Sequence, residues 1–225
     1  MTTPEHTIVS LCQRSHQISK DKGWVKDGDP RPFHTTIALM HSELSEALEE
    51  YREHRKLDEV YYTVTYTTDD GAVSGKHKEV MSCEKLAEFR ENEGSSYRVD
   101  DAKPEGIPIE LADLVIRICQ RVGTDGDATQ LDLFCSDQAP GDLDTDFELF
   151  ATERHADLSA AYRAHSSSLP STGLSRNQNA LRSLARCLNA TFSFCAFHNI
   201  DLWAAIDEKE AYNKTRPERH GGKKI

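Results

Sequence analysis

The sequence lacks three features that would each place it in a definite class of protein. Its six cysteines are scattered, and no two of them have the CxxC spacing of zinc sites and redox motifs, so we expect reduced thiols. No apolar stretch approaches the roughly 20 residues that cross a bilayer, and the first residues lack the basic region and apolar core of a secretory signal. We therefore predict a cytoplasmic protein without a membrane partner.

Basic residues are also fewer than acidic ones, which gives a formal net charge of −11. A protein that coats nucleic acid needs a basic surface to neutralise phosphates, so we expect no nucleic-acid partner. A small anionic ligand still fits this charge if a local basic cluster or a metal ion receives it. The stretch NKTRPERHGGKK, residues 213–224, is such a cluster, with five Lys or Arg residues and one Glu. The alternative is a solvated charge run.

Apolar residues recur at helical spacing through most of the chain and predict a mainly all-α protein. The predicted helices cover residues 3–22, 33–55, 84–92, 107–122, 146–166, 176–197 and 200–213. The helix over 107–122 is apolar nearly all round, which is typical of a helix at the centre of a bundle. Residues 123–146 predict an acidic surface loop with a short helical turn. We interpret residues 1–225 as a single helical domain.

A β-rich insertion interrupts the helical pattern at about residues 57–103. Residues 59–68 read EVYYTVTYTT and are mostly β-branched and aromatic, which is typical of a strand. The turn signal Asp69-Asp70-Gly71 and a weaker strand over 76–81 follow. The sequence therefore predicts a small β-hairpin inserted between helices.

Two of the predicted helices share a short pattern. HSELSEALEE at 41–50 resembles HADLSAAYRA at 155–164, and an apolar helix follows each of them later in the chain. In the second copy Ala160 stands at the position of Glu46, and no ExxD follows. Residues 146–213 are therefore either a degenerate second helical repeat or a chance likeness between two amphipathic helices.

Carboxylates on two of the predicted helices form a candidate site. At 100° per residue, Glu43, Glu46 and Glu50 lie within about 60° of one another, beside an apolar stripe. Glu110 and Asp113 lie one turn apart on the helix that is apolar nearly all round, so neither readily reaches water. A buried, ionised carboxylate needs protonation, a basic partner or a metal ion.

Two interpretations of these acids are open. In one, the acids of the first helix are exposed, and those of the second are neutralised by Arg117 or Arg121. In the other, both helices supply hard oxygen ligands to Mg²⁺, which prefers carboxylates, water and substrate phosphates. A di-iron site would need Glu-x-x-His pairs at inward positions, and the sequence has none there. We favour the Mg²⁺ site.

Three stretches carry a resemblance to a known family. They are LMHSELSEALEEYR at 39–52, KPEGIPIELADLVIRI at 103–118 and AYNKTRPERHGGKK at 211–224. Together they cover roughly a fifth of the chain and resemble the MazG-like nucleoside triphosphate pyrophosphohydrolases of the all-α NTP pyrophosphatase superfamily. The chain departs from the family pattern at Ser42, which stands in place of the first glutamate, and Glu50 is a candidate replacement. The interval between the two acidic motifs is also longer than usual, which the insertion explains.

The resemblance implies a helical bundle of the all-α NTP pyrophosphatase type and a reaction performed in it. That reaction is the hydrolysis of a nucleoside or deoxynucleoside triphosphate to the monophosphate and pyrophosphate. Mg²⁺, with Mn²⁺ as a substitute, would be bound by the catalytic residues Glu43, Glu46, Glu110 and Asp113. The substrate would be bound by Asn213, Lys214, Arg216, His220 and Lys223.

The resemblance also implies a homodimer or a higher homo-oligomer, because family members commonly assemble in this way. Alternatively, the second helical repeat completes the bundle within this longer chain. Two other functions remain open. One is a dUTP- or dCTP-specific pyrophosphatase of the same fold, and the other is a helical interaction protein that has lost turnover, for which Ser42 is an argument.

Overall fold

The computed structural model describes residues 6–25, 31–69, 74–92, 97–137, 146–167 and 176–217. Most of these residues are helical, in α1 (Ile8–Asp21), α2 (Phe33–Arg52), α3 (Cys83–Glu91), α4 (Ile107–Asp125), α5 (Ala128–Ser136), α6 (Phe147–Ser166), α7 (Arg176–Phe197) and α8 (Leu202–Thr215). The prediction of a mainly helical fold is confirmed. None of the described helices is both long enough and apolar enough to pass through a lipid bilayer.

Side-chain caps fix where several helices begin. The Asp146 side chain accepts a hydrogen bond from the backbone N–H of Leu149 at 2.8 Å, so α6 begins directly after it. Asp201 caps α8 in the same way, through the backbone N–H of Ala204 at 3.0 Å. α5 is longer than the short turn that the sequence predicts, because buried Leu131 anchors it against the core.

Two glycines lie where α4 passes close to other backbone. Gly106, just before α4, has a φ of +111°, and a Cβ on it would lie 2.3 Å from the carbonyl oxygen of Glu59. Gly123 faces α1, where a Cβ would lie 2.3 Å from the carbonyl oxygen of Cys12. Only glycine fits these positions without a backbone shift, so the sequence fixes both the entry into α4 and the close packing of α1 on α4.

The insertion forms a three-stranded antiparallel sheet of β1 (Tyr61–Asp69), β2 (Ser74–Ser82) and β3 (Tyr97–Glu105), in the order β2-β1-β3. The structure contains both strands of the predicted hairpin, but the sequence analysis misses β3, and its boundary at residue 103 falls inside that strand. Pro104 lies in β3 opposite Tyr62, which an edge strand tolerates because one of its sides carries no ladder. Val64, Met81 and Leu86 form a small separate core under the sheet.

One large apolar core joins the remaining helices. α4 lies at its centre, as the sequence predicts, and packs against α1, α2 and α8. α2 also packs against α6, and α6 packs against α7. The acids of α2 and α4 therefore lie at a junction inside the bundle rather than on separate surfaces.

Candidate metal centre

Carboxylates from α2 and α4 meet between the two helices. Glu43, Glu46 and Glu110 each place one carboxylate oxygen within 4.8 Å of the others. Glu43 and Glu110 are buried, whereas Glu46 is exposed, so the cluster lies at the edge of the core and is open on one side. The structure thus brings together three of the four acids that the sequence predicts as metal ligands.

Burial keeps these acids from ionising easily. Burial and the nearby carboxylate of Asp113 raise the pKa of Glu43 to about 7, against the opposing effect of Arg117. Burial also raises the pKa of Glu110 to about 8. Oε2 of Glu110 is buried and has no hydrogen-bond partner among the described residues. An orphaned carboxylate oxygen is costly, so this atom needs a proton or a cation.

Asp113, the fourth predicted ligand, is paired with a lysine that the sequence analysis misses. Lys209 of α8 places Nζ 2.7 Å from Oδ2 of Asp113, and only 3% of its side chain is exposed. Burial lowers the pKa of Lys209, but the carboxylates of Asp113 and Glu110 outweigh that effect and hold the pKa above its ordinary value. A signal existed, because Lys209 continues the inward spacing of Ala205 and Ile206.

The two arginines considered as partners for the acids of α4 have other roles. Arg117 donates through Nε to Oε1 of Glu43 at 3.0 Å. Arg121 pairs with Asp125 at 2.8 Å and donates to the backbone oxygen of Arg31 at 2.7 Å. Neither arginine forms one of the described ion pairs with Glu110 or Asp113.

The charges of the cluster do not balance. Four carboxylates, when ionised, face the two cations that pair with them, which leaves an excess of two negative charges. The donor set consists of carboxylate oxygens, the ligands that hard divalent cations such as Mg²⁺ prefer. The residues therefore fit such an ion, and Glu110 Oε2 is a fully buried oxygen of the cluster without a described hydrogen-bond partner.

Ser42, which departs from the pattern of the family that the sequence resembles, and Glu50, its candidate replacement, contact different neighbours. The Ser42 hydroxyl donates to Glu46 at 3.0 Å, so it contacts one of the cluster acids directly. Glu50 accepts hydrogen bonds from the Tyr61 hydroxyl at 2.8 and 3.0 Å. The carboxylate of Glu50 is thus turned towards the sheet and is not one of the three acids that meet in the cluster.

A groove between α1, α4 and α8 adjoins the cluster through Asp113 and Arg117. Its volume outside protein atoms is about 540 Å³, part of it open to solvent. Trp24 and the carboxamides of Gln120 and Asn213 line it. Gln120 is only 6% exposed, yet no described hydrogen bond involves its carboxamide. Because its carboxamide is not one of the fully buried groups that lack a partner, it is accessible to water or a ligand in the groove.

The predicted substrate-binding residues are only partly described. Asn213 and Arg216 line the groove. Lys214 is exposed and does not line it, but its backbone oxygen and that of Arg216 accept hydrogen bonds from Lys22 at 2.6 and 2.7 Å, which fixes the end of α8 on α1. His220 and Lys223, also predicted to bind substrate, lie outside the described residues.

Comparisons with models of known protein families, with curated proteins and with solved structures find no match to this chain. The function is therefore argued from the acid cluster and the groove beside it.

Proposed function

We propose that this chain is a MazG-like nucleotide pyrophosphohydrolase of the all-α NTP pyrophosphatase type. It would hydrolyse a nucleoside or deoxynucleoside triphosphate to the monophosphate and pyrophosphate in the presence of Mg²⁺ or Mn²⁺. The observation that carries this proposal is the buried, unpartnered Oε2 of Glu110, which lies among acids with an excess of negative charge beside an open groove.

The buried and the exposed acids of the site would have different roles. Glu43, Glu46 and Glu110 would hold the ion, and Asp113 would join them when Lys209 turns to a substrate phosphate. The bound ion would supply charge neutralisation for the triphosphate and make an attacking water more acidic. Glu46, the exposed acid of the cluster, is placed to accept the proton of that water. Water oxygen bonds to the α-phosphorus, the α–β phosphoanhydride bond breaks, and pyrophosphate leaves.

The groove would receive the nucleoside. The carboxamides of Gln120 and Asn213 each offer donors and an acceptor, which suits the polar edge of a base or the hydroxyls of a sugar. The Trp24 ring, with Arg31 over it at 5.4 Å from the ring centroid, lines the same groove and would contact a base there. Arg216, at the same groove, would stabilise the charge on the phosphates. The groove therefore connects the acid cluster to all three parts of a nucleotide.

The two other functions can be distinguished from this one by which triphosphates are hydrolysed and by whether pyrophosphate is released. A dUTP- or dCTP-specific pyrophosphatase would use the same cluster but a narrower choice of base. An interaction protein without turnover would keep the ion pairs of Glu43 with Arg117 and of Asp113 with Lys209 as structural contacts, and would release no pyrophosphate.

The test is pyrophosphate release from the eight common ribo- and deoxyribonucleoside triphosphates with Mg²⁺. Glu110→Gln and Glu43→Gln should each lower turnover by about 100-fold or more, because each removes a donor that acts in the transition state. Glu49→Gln is the matched control, since Glu49 lies on α2 but is exposed, and its described ion pair is with Arg52 on the surface. Wild-type protein that releases no pyrophosphate from any of the eight, or a Glu110→Gln variant with full turnover, would refute the proposal.

A further inference from the structure

α2 and α6 correspond residue for residue. Each is 20 residues long, and their bounds, Phe33–Arg52 and Phe147–Ser166, differ by a constant 114 positions. The buried residues of α2 are Phe33, Thr36, Ile37, Met40, Glu43, Leu44 and Ala47. Adding 114 to each of these residue numbers gives a buried residue of α6. These residues are Phe147, Phe150, Ala151, Arg154, Asp157, Leu158 and Ala161. Amphipathic helices commonly share this spacing of buried residues, so the contacts between the two helices are the stronger evidence for a repeat.

Equivalent residues of the two helices also meet each other. His41 and His155, related by the same shift, stack with their ring planes 13° apart and their Nδ1 atoms 2.7 Å apart. Tyr51 of α2 stacks on Phe147 of α6 with ring centroids 5.0 Å apart. The equivalents of these two residues, His165 of α6 and Phe33 of α2, also stack, with ring centroids 4.1 Å apart. In each case a residue of α2 contacts a residue of α6, and the equivalents of the two residues contact each other as well. Such reciprocal contacts are those of a two-fold axis between identical subunits.

The partner helices follow the same symmetry. Arg117 of α4 donates through Nε to Glu43, and Arg186 of α7 donates through Nε to Asp157, the equivalent of Glu43. α1 packs on α4 as α5 packs on α7. Across the axis, α1 contacts α5, α2 contacts α6 and α4 contacts α7. Two similar three-helix units therefore face each other within one chain.

The second unit lacks three of the four acids of the first. Ala160 stands at the position of Glu46. When Arg186 is aligned with Arg117, Asn179 and Arg182 stand at the positions of Glu110 and Asp113. Asp157, the acid at the position of Glu43, is 4% exposed and lies between Arg154 and Arg186. A site with one acid and two flanking arginines repels a divalent cation.

We infer that the chain is an internal dimer, in which α5, α6 and α7 take the place of a second subunit and one chain carries a single metal centre. The α2 surface around His41 is already covered by α6, so a second copy has no equivalent face to pair with. The chain alone is then the active species. The statement about the metal centre rests on the proposed function, whereas the statement about the internal dimer does not.

Two measurements on the full chain test this inference. Sedimentation equilibrium should give the mass of one chain over a roughly hundredfold range of concentration, with constant specific activity throughout. In a titration with Mn²⁺ followed by electron paramagnetic resonance, Glu110→Gln should abolish tight binding. Asp157→Asn should bind Mn²⁺ as the wild-type protein does, and circular dichroism would verify that both variants are folded.

The outcomes separate the inference from the proposed function. An active species with the mass of two chains whose specific activity falls on dilution would overturn the internal dimer. Tight Mn²⁺ binding that survives Glu110→Gln and disappears with Asp157→Asn would overturn the single centre. If the mass is that of one chain but no triphosphate is hydrolysed, the proposed function fails and the internal dimer stands.

Discussion

The helix pairs α2–α4 and α6–α7 have the same arrangement and opposite charge balance. In α2–α4, four carboxylates face two cations. In α6–α7, a single buried carboxylate, Asp157, lies between two arginines. Both pairs keep an arginine that donates to the acid of the neighbouring helix. The packing of the helices is thus similar while the charge balance differs, so a few side chains, and not the bundle, set the charge of each pair.

The largest expected difference between the two pairs is in turnover. Glu110→Gln should lower pyrophosphate release by about 100-fold or more, whereas Asp157→Asn should change it by less than about twofold in the folded protein. The reason is that Glu110 lies in the acid cluster, whereas the described ion pairs of Asp157 are with Arg154 and Arg186 of the second pair. Steady-state kinetics of both variants measure this. Equal losses in the two variants would show that both pairs contribute to the reaction.

The same two substitutions should have opposite effects on stability. Asp157→Asn leaves Arg154 buried without its countercharge and should lower the free energy of unfolding by about 3 kcal/mol. Glu110→Gln removes a carboxyl whose pKa is already raised to about 8, so the metal-free protein should become more stable by about 1 kcal/mol above that pH. Urea unfolding in the presence of a chelator measures both values. A stabilised Asp157→Asn variant would contradict the role of Asp157 as a structural ion-pair partner.

A smaller difference is expected for two carboxamides at equivalent positions. Gln120 lines the groove without a described partner, whereas Asn189 donates to the backbone oxygen of Cys135 at 2.8 Å. Gln120→Leu should raise KM by about tenfold with little change in stability, because it removes a contact to substrate. Asn189→Leu, the matched control, should leave KM unchanged and lower stability by about 1 kcal/mol. A KM change in the control alone would place the nucleoside in the second pair.

The smallest expected effect is the pH dependence of the metal-free protein. Because the pKa values of Glu43 and Glu110 are raised to about 7 and about 8, the folded state binds more protons than the unfolded state between the ordinary carboxyl pKa and pH 8. Stability should therefore fall as pH rises through that window, by a few degrees in Tm. Mg²⁺ favours the ionised carboxylates, so its stabilising effect should be larger at about pH 8.5 than at about pH 5.5. Melting curves with Mg²⁺ or chelator test this, and a pH-independent Mg²⁺ effect would contradict binding at these acids.

The sequence predicts those parts of the structure that depend on local signals. The repeated apolar spacing of α2 and α7 and the apolar surface of α4 specify helices whatever their partners are. β3 is missed because its sequence, YRVDDAKPE, lacks alternating apolar residues and becomes a strand only through its pairing with β1. Strand pairing between distant segments is a property of the folded chain and leaves little trace in one short stretch.

The candidate site shows the same limit. The burial of Glu110 and its need for a countercharge follow from the apolar helix around it, so its proximity to Glu43 could be anticipated. The pairing of Lys209 with Asp113 could not, because it depends on how α8 docks on α4. The direction of the Glu50 side chain likewise depends on Tyr61, a residue of the inserted sheet. Sequence periodicity predicts which face a side chain occupies, but tertiary packing selects its partner.

The common apolar core has a consequence for how such a chain changes over time. Buried side chains of α2 such as Met40 and Leu44 belong to the same core as Phe150 and Leu158 of α6, so deleting α6 would expose them to water. Selection for a folded chain therefore retains the second helix pair even though it carries no acid cluster. In the internal dimer that we infer, the polar residues of the second pair are free to change while its apolar ones are held by the shared core.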